Sequence, residues 1–204
     1  KRTYWSMPCA LGVDLSQGDD FCAFTFLFPL ASDKFGVKTR SYITERTLYR
    51  LPIAMREKYE EFIDEGSLCV MDETVLDLDK VFDDLDQFIS DSDYDVCAVG
   101  YDPYNAKDFI KRWEMENSPH GLIKVPQGAR TESVPLGEIK QLAEDGRLLF
   151  DEQLMSYCMG NAIVLKDNNN NKKLCKLRRD AKIDSVSALL DAYVAYKANT
   201  DMFD

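Results

Sequence analysis

Apolar residues recur along this chain with two different periods, and the switches between them outline the architecture. Residues 10–16 form a short apolar run broken by one aspartate, Asp14, and a turn-forming Gln-Gly-Asp-Asp segment follows at 17–20. Runs at 21–30 and 37–44 supply two further strands, and the short turns between the three imply an antiparallel meander. The period then lengthens. Across 52–64, Ile53, Met55, Tyr59, Phe62 and Ile63 suit one face of a helix that Gly66 is placed to stop. A short strand is expected at 67–71. Residues 76–89 return to helical spacing, with Leu78, Val81, Phe82, Leu85, Phe88 and Ile89 on one side and aspartates on the solvated side.

Residues 95–101 read as a buried strand that ends at Asp102 and Pro103, because proline cannot continue strand pairing. Helices are expected at 104–116, 132–145, 152–160 and 183–197, a strand at 122–125, and a hairpin pairing 162–166 with 174–177 around the asparagines at 168–171. A three-strand meander, then strands alternating with helices, then a closing helix, is an α/β order with a mixed central sheet flanked by helices and a basic β-hairpin. The length of 204 residues suits one domain spanning 1–204.

Composition supports a folded chain: 45% of residues are hydrophobic and 30% charged. The longest apolar stretch, 21–31, contains Cys22 and Thr25 and falls well short of the roughly 20 residues of a membrane helix. No secretion signal opens the sequence, and Lys1 in first place reads as the edge of a piece excised from a longer protein. Six scattered cysteines without a C-x-x-C pair, and the single histidine His120, argue for reduced thiols and against zinc. The net charge of −11 argues against a surface that grips nucleic acid everywhere. Its distribution changes that picture, since 166–182 holds seven basic residues against two acids. Within it, Lys172, Lys173, Lys176, Arg178 and Arg179 are candidates for contacting a DNA backbone, or else for a charged edge that discourages sheet pairing.

Three aspartates carry the candidate chemistry. Asp14 lies inside an apolar strand, where an unpaired carboxylate would be costly, unless it faces solvent or caps the turn. Asp102 closes a second apolar strand at the carboxyl end, the edge where open α/β sheets bind ligands, though an aspartate before proline is also an ordinary turn residue. Asp184 begins an otherwise apolar helix, where an acid also serves the helix dipole. Together, two strand-end carboxylates and one helical carboxylate can converge on two divalent cations. Oxygen donors select Mg²⁺ or Mn²⁺, and a pair of such ions suits in-line attack on a phosphodiester. Asp19, Asp20 and Asp180 are further acids that could stand beside such a site or simply occupy turns.

Six segments in order resemble the carboxy-terminal nuclease domain of the large terminase subunit of tailed bacteriophages: 12–16 (GVDLS), 65–70 (EGSLCV), 100–106 (GYDPYNA), 125–128 (VPQG), 160–164 (GNAIV) and 182–189 (KIDSVSAL). The resemblance spans nearly the whole chain and implies an RNase H-like fold. It also implies an endonuclease that cuts concatemeric double-stranded DNA during genome packaging, with Asp14, Asp102 and Asp184 holding two metal ions. It further implies an ATPase domain earlier in the same protein, portal and small terminase subunit as partners, and the host cytoplasm as location. No phosphate-binding Gly-x-x-x-x-Gly-Lys-[Ser/Thr] loop occurs, so this chain is not expected to hydrolyse ATP. The glycine- and histidine-bearing segment usual before GNA is replaced by 149–154 (LFDEQL). Other nucleases of this fold, such as resolvases and transposase cores, share the carboxylate logic. A non-catalytic acidic interaction module is the reading from a different class.

Overall fold

A computed structural model describes residues 3–15 and 21–204. The meander expected at the start is present as β1 (Pro8–Leu15), β2 (Cys22–Pro29) and β3 (Phe35–Thr44). The turn expected at 17–20, with Asp19 and Asp20, lies outside the described residues. A short helix that periodicity did not indicate, α1 (Glu45–Arg50), precedes α2 (Ile53–Glu65), β4 (Leu68–Met71), α3 (Leu78–Ser92), β5 (Asp95–Tyr101) and α4 (Lys107–Glu116). Then come β6 (Leu122–Lys124), α5 (Ala129–Glu144), β7 (Leu148–Leu149), α6 (Gln153–Asn161), the hairpin β8 (Ala162–Lys166) and β9 (Lys172–Lys176), and α7 (Asp184–Ala198). Gly66 ends α2 with φ of 85°, a conformation glycine adopts without steric cost. No helix among the described residues is long and apolar enough to cross a membrane.

The main sheet runs β4-β3-β2-β1-β5-β6, with β7 also on β3, and the hairpin β8-β9 stands apart. β1 pairs antiparallel with β2 and β2 with β3, whereas β5 is parallel to β1, β6 to β5, and both β4 and β7 to β3. The mixed sheet is thus a meander extended by parallel strands on both sides. Between β4 and β7 the edge of β3 is sealed by a side chain, since Thr39 N–H donates to Glu152 Oε1 at 2.8 Å.

Strand alternation sorts the residues into two apolar layers. Leu11, Val13, Leu15, Phe24, Phe26 and Phe28 pack with Phe82 of α3 and Phe109 and Trp113 of α4. Ala10, Leu27, Val37 and Ala98 face the other way, against α2, α5, α6 and α7. The same alternation puts Gly12, Asp14, Gly100 and Asp102 on the α7 face.

Gly12 and Gly100 are register partners in β1 and β5. A methyl group at Gly12 would sit 1.6 Å from the Ala188 carbonyl oxygen, and one at Gly100 would sit 2.0 Å from that of Asp191. The backbone of α7 therefore rests directly on the two glycines. Its first turn is fixed over β2 and β3 by a buried hydroxyl network. Thr25 Oγ1 donates to the Ser185 carbonyl at 2.9 Å, and Thr39 Oγ1 lies 3.0 Å from Ser185 Oγ. The helix thus crosses from β3 and β2 at its start to β1 and β5 further on.

Gly12→Ala or Gly100→Ala must push α7 off the sheet. Overpacking costs about 1–3 kcal/mol or more, so thermal melting should fall by roughly 5 °C or more. Gly160→Ala in α6, where an added methyl meets no atom within 4 Å, should leave the midpoint nearly unchanged. Equal midpoints for all three variants would contradict this packing.

Candidate active site

β1 and β5 are adjacent parallel strands in register to Val13 and Tyr101. The next residues, Asp14 and Asp102, therefore stand side by side at the carboxyl ends of two strands about 4.8 Å apart. Both are half-buried and line one cleft of about 440 Å³. Asp102 is fixed by the turn that follows it, its Oδ1 accepting from Tyr104 N–H at 3.0 Å.

In place of the expected Asp184, the α7 carboxylate that lines this cleft is Asp191. Asp184 is buried, but it begins α7 next to Ser185, over β2 and β3, and is not among the cleft's lining residues. Seven residues of helix carry the chain about 10 Å, and that advance takes α7 from Asp184 to the ends of β1 and β5. The sequence did contain a signal. Asp191 sits between Leu190 and Ala192 in an apolar helix, the same anomaly that marked Asp14 in its strand. A mid-helix position hides that signal, because element ends are where functional carboxylates are ordinarily expected.

Asp191 is the most constrained of the three. Burial, then repulsion from Asp14, Glu132 and Asp102, holds its carboxyl well above the usual carboxylate range. Glu132, in the first turn of α5, also lines the cleft, and its Oε2 accepts from Gly128 N–H at 3.0 Å. Burial raises the Glu132 carboxyl, the Gly128 hydrogen bond opposes that shift, Asp102 adds to it and Lys173 offsets it.

The basic hairpin forms one side of the cleft. It is anchored to α5 where Lys172 N–H donates to Ser133 Oγ at 2.9 Å, and Lys173 reaches the cleft itself. Lys176, Arg178 and Arg179 are exposed along the same segment, whereas Asp180 is exposed and lies outside the cleft lining. The segment 149–154 is also remote: it contributes Leu149 of β7 and Glu152 at the edge of β3 and no residue of the cleft.

Four carboxylates, Asp14, Asp102, Glu132 and Asp191, line the cleft, and carboxylate oxygens are donors preferred by hard divalent cations. Among the described residues, no three His, Cys, Asp or Glu side chains stand together as a ready ligand group. The repulsion that adds to burial in raising Asp191 is a charge imbalance a cation would offset, so the residues fit a divalent ion in chemistry.

A mixed sheet with this strand order, and a helix carrying a carboxylate to two strand-end aspartates, defines an RNase H-like domain. The chain belongs to the family described as "Terminase large subunit, endonuclease domain", whose model matches residues 6–199. It is 24% identical over 179 residues to the terminase large subunit of Enterobacteria phage HK97, covering 87% of this chain and 35% of that protein. It is 22% identical over 192 residues to that of Lactococcus phage p2, covering 92% and 34%. The chain thus spans about a third of the length of these curated relatives.

The crystal structure of the HK97 large terminase superposes with a TM-score of 0.82 at 22% identity, covering 94% of this chain and 40% of that one. The magnesium-bound large terminase nuclease of thermophilic phage G20c superposes with a TM-score of 0.56 at 12% identity, covering 94% and 84%.

The raised Asp191 carboxyl fixes a sign. A carboxyl whose folded pKa lies above its unfolded value near 3.9 makes the folded state bind the extra proton, so metal-free stability falls as pH rises from about 4. In EDTA, Asp191→Asn should flatten that decline and raise the melting midpoint at about pH 7.5. A decline that persists unchanged in the variant would show that Asp191 is not its source.

Proposed function

We propose that this chain is the metal-dependent endonuclease part of a phage packaging terminase, hydrolysing phosphodiester bonds of concatemeric double-stranded DNA. The observation that carries the proposal is that Asp14, Asp102 and Asp191 line one cleft beside a basic hairpin. Membership of the terminase endonuclease family supports it, as does the magnesium in a solved nuclease of the same fold. Resolvases and transposase cores share the carboxylate logic, and it is the family that favours packaging over them.

Asp14, Asp102 and Asp191 would hold two Mg²⁺ or Mn²⁺ ions. Such ions supply Lewis acidity toward the phosphate and lower the pKa of an attacking water. The protein's own part is placement. The two strand ends fix Asp14 and Asp102, while α7 presents Asp191 from a buried position where its interaction with a bound cation is little screened by water. Glu132, tied to Gly128, holds the start of α5 as the cleft wall. Lys173 places a positive charge where a phosphate oxygen enters. Lys172, Lys176, Arg178 and Arg179 would then follow the DNA backbone without reading sequence.

In the whole protein, this domain would work with an ATPase domain of the same chain, a portal and a small terminase subunit, in the host cytoplasm.

Losing a partner one layer out from a metal typically costs about 10–100-fold, so removing a direct ligand should cost about 100-fold or more. Asp14→Asn, Asp102→Asn and Asp191→Asn should each lose at least that much Mn²⁺-dependent plasmid nicking. Asp184→Asn should retain more activity than any of them, and EDTA should abolish cutting by the wild type. Wild-type nicking in EDTA, or undiminished nicking by Asp14→Asn, would refute the proposal. Replacing Lys173, Lys176 and Arg178 with Gln should make the log-log salt dependence of DNA binding shallower, by about 0.9 for each phosphate no longer neutralised. An unchanged slope would remove the hairpin from the DNA surface.

A further inference from the structure

Next to the carboxylate cleft is a second cavity that the hydrolysis does not use. It measures about 410 Å³ and is lined by Asp102, Pro103, Tyr104, Asn105, Pro126 and Gln127. Asp102 and Gln127 also line the first cleft, so the two share a wall. The Tyr104 side of this cavity is conspicuous for a folded chain, because the tyrosine is 92% exposed. An aromatic ring offers a large apolar surface that a protein ordinarily buries in part. Its backbone is nevertheless held, since Tyr104 N–H donates to Asp102 Oδ1. The hydrogen bond that orients a candidate metal ligand therefore also holds the backbone from which the ring projects.

The lining has a definite chemistry: one aromatic ring, two prolines and two side-chain amides, with Asp102 as its only charge. That charge lies at the end shared with the first cleft. A polyphosphate or a cationic peptide would find few charged partners here. A flat heteroaromatic ring with donors and acceptors on its edge would find a stacking face in Tyr104, apolar contact from Pro103 and Pro126, and hydrogen-bonding groups in Asn105 and Gln127. The volume falls within the roughly 300–1,000 Å³ of small-ligand sites.

We propose that this cavity receives the unstacked base of the nucleotide flanking the scissile phosphate, with Tyr104 stacking on it as a positioning residue. The inference rests on the nuclease reading above. When a phosphate lies between Asp14 and Asp102, the adjoining nucleotide meets the shared wall at Asp102 and Gln127, and its base can turn onto the ring of Tyr104. Because every base has a π-face, the contact tolerates any sequence. It favours places where the duplex opens easily, such as A·T-rich or mismatched steps, over stable G·C-rich ones. A tyrosine in the cavity thus supplies a preference for deformable DNA that carboxylates and a basic hairpin alone would not.

The test compares wild type, Tyr104→Ala, Tyr104→Phe and Tyr104→Trp for Mn²⁺-dependent cleavage, and for quenching of an oligonucleotide carrying 2-aminopurine. Tyr104→Ala should raise KM by about tenfold with kcat far less affected, and should lose the quenching and the preference for mismatched over fully paired duplexes. Tyr104→Phe and Tyr104→Trp should retain all three, because they keep a ring. The melting midpoint should be common to all four, since the side chain is exposed. If wild type cleaves and Tyr104→Ala matches it in KM, quenching and mismatch preference, the base-stacking inference fails while the nuclease reading stands. If Tyr104→Phe is as impaired as Tyr104→Ala, the hydroxyl is what matters and stacking is again overturned. If wild type cuts no DNA with Mn²⁺, the nuclease reading falls and takes this inference with it.

Discussion

Everything about the cleft depends on how closely α7 lies against the sheet. At Gly12 and Gly100 the helix carbonyls of Ala188 and Asp191 occupy the space where side chains would be. Only with hydrogen in place of Cβ on both strands can the helix backbone come this near. That close approach, together with the hydroxyl network of Thr25, Thr39 and Ser185, sets both the height and the direction of α7. Height determines whether a short aspartate side chain can reach the strand ends. Direction determines which aspartate does. Because the helix runs from over β2 and β3 toward β5, the residue that arrives beside Asp14 and Asp102 is Asp191.

The same packing has an electrostatic cost. A close helix excludes water, so Asp191 is desolvated and is repelled by Asp14, Glu132 and Asp102. For stability this is a liability, because buried like charges oppose folding. For binding a divalent cation it is useful, since a poorly hydrated carboxylate beside other carboxylates is screened less by water and favours a counter-charge. The glycines and the buried hydroxyls thus stabilise an arrangement that the carboxylates strain, a pattern common at functional sites.

The sequence disclosed the scaffold more fully than the site. The meander, the parallel strands, the closing helix and the basic hairpin follow from periodicity and turn chemistry, which act locally. So do the positions of Asp14 and Asp102, because a strand end needs no knowledge of distant residues. The features that periodicity did not give are those fixed by tertiary packing. The two-residue β7 exists only because Phe35 and Gly36 offer it an edge. Helix α5 begins at Ala129, three residues before its expected start, where Glu132 accepts from Gly128 N–H and ties the turn. The α7 carboxylate is the clearest case. Asp184 and Asp191 are seven residues apart, share nearly the same helical face and each stand among apolar neighbours, so helical periodicity does not separate them. The crossing direction of α7 makes the choice, and that direction is set by residues on β1, β2, β3 and β5.

The most direct test of the cleft as a metal centre is a crystal structure of the chain soaked in Mn²⁺, with the ions located by anomalous scattering. Manganese is expected in the cleft, within about 2.0–2.6 Å of carboxylate oxygens of Asp14, Asp102 and Asp191, with Asp184 uncoordinated. Manganese held by Asp184 and not by Asp191, or no manganese in the cleft at a saturating soak, would contradict it.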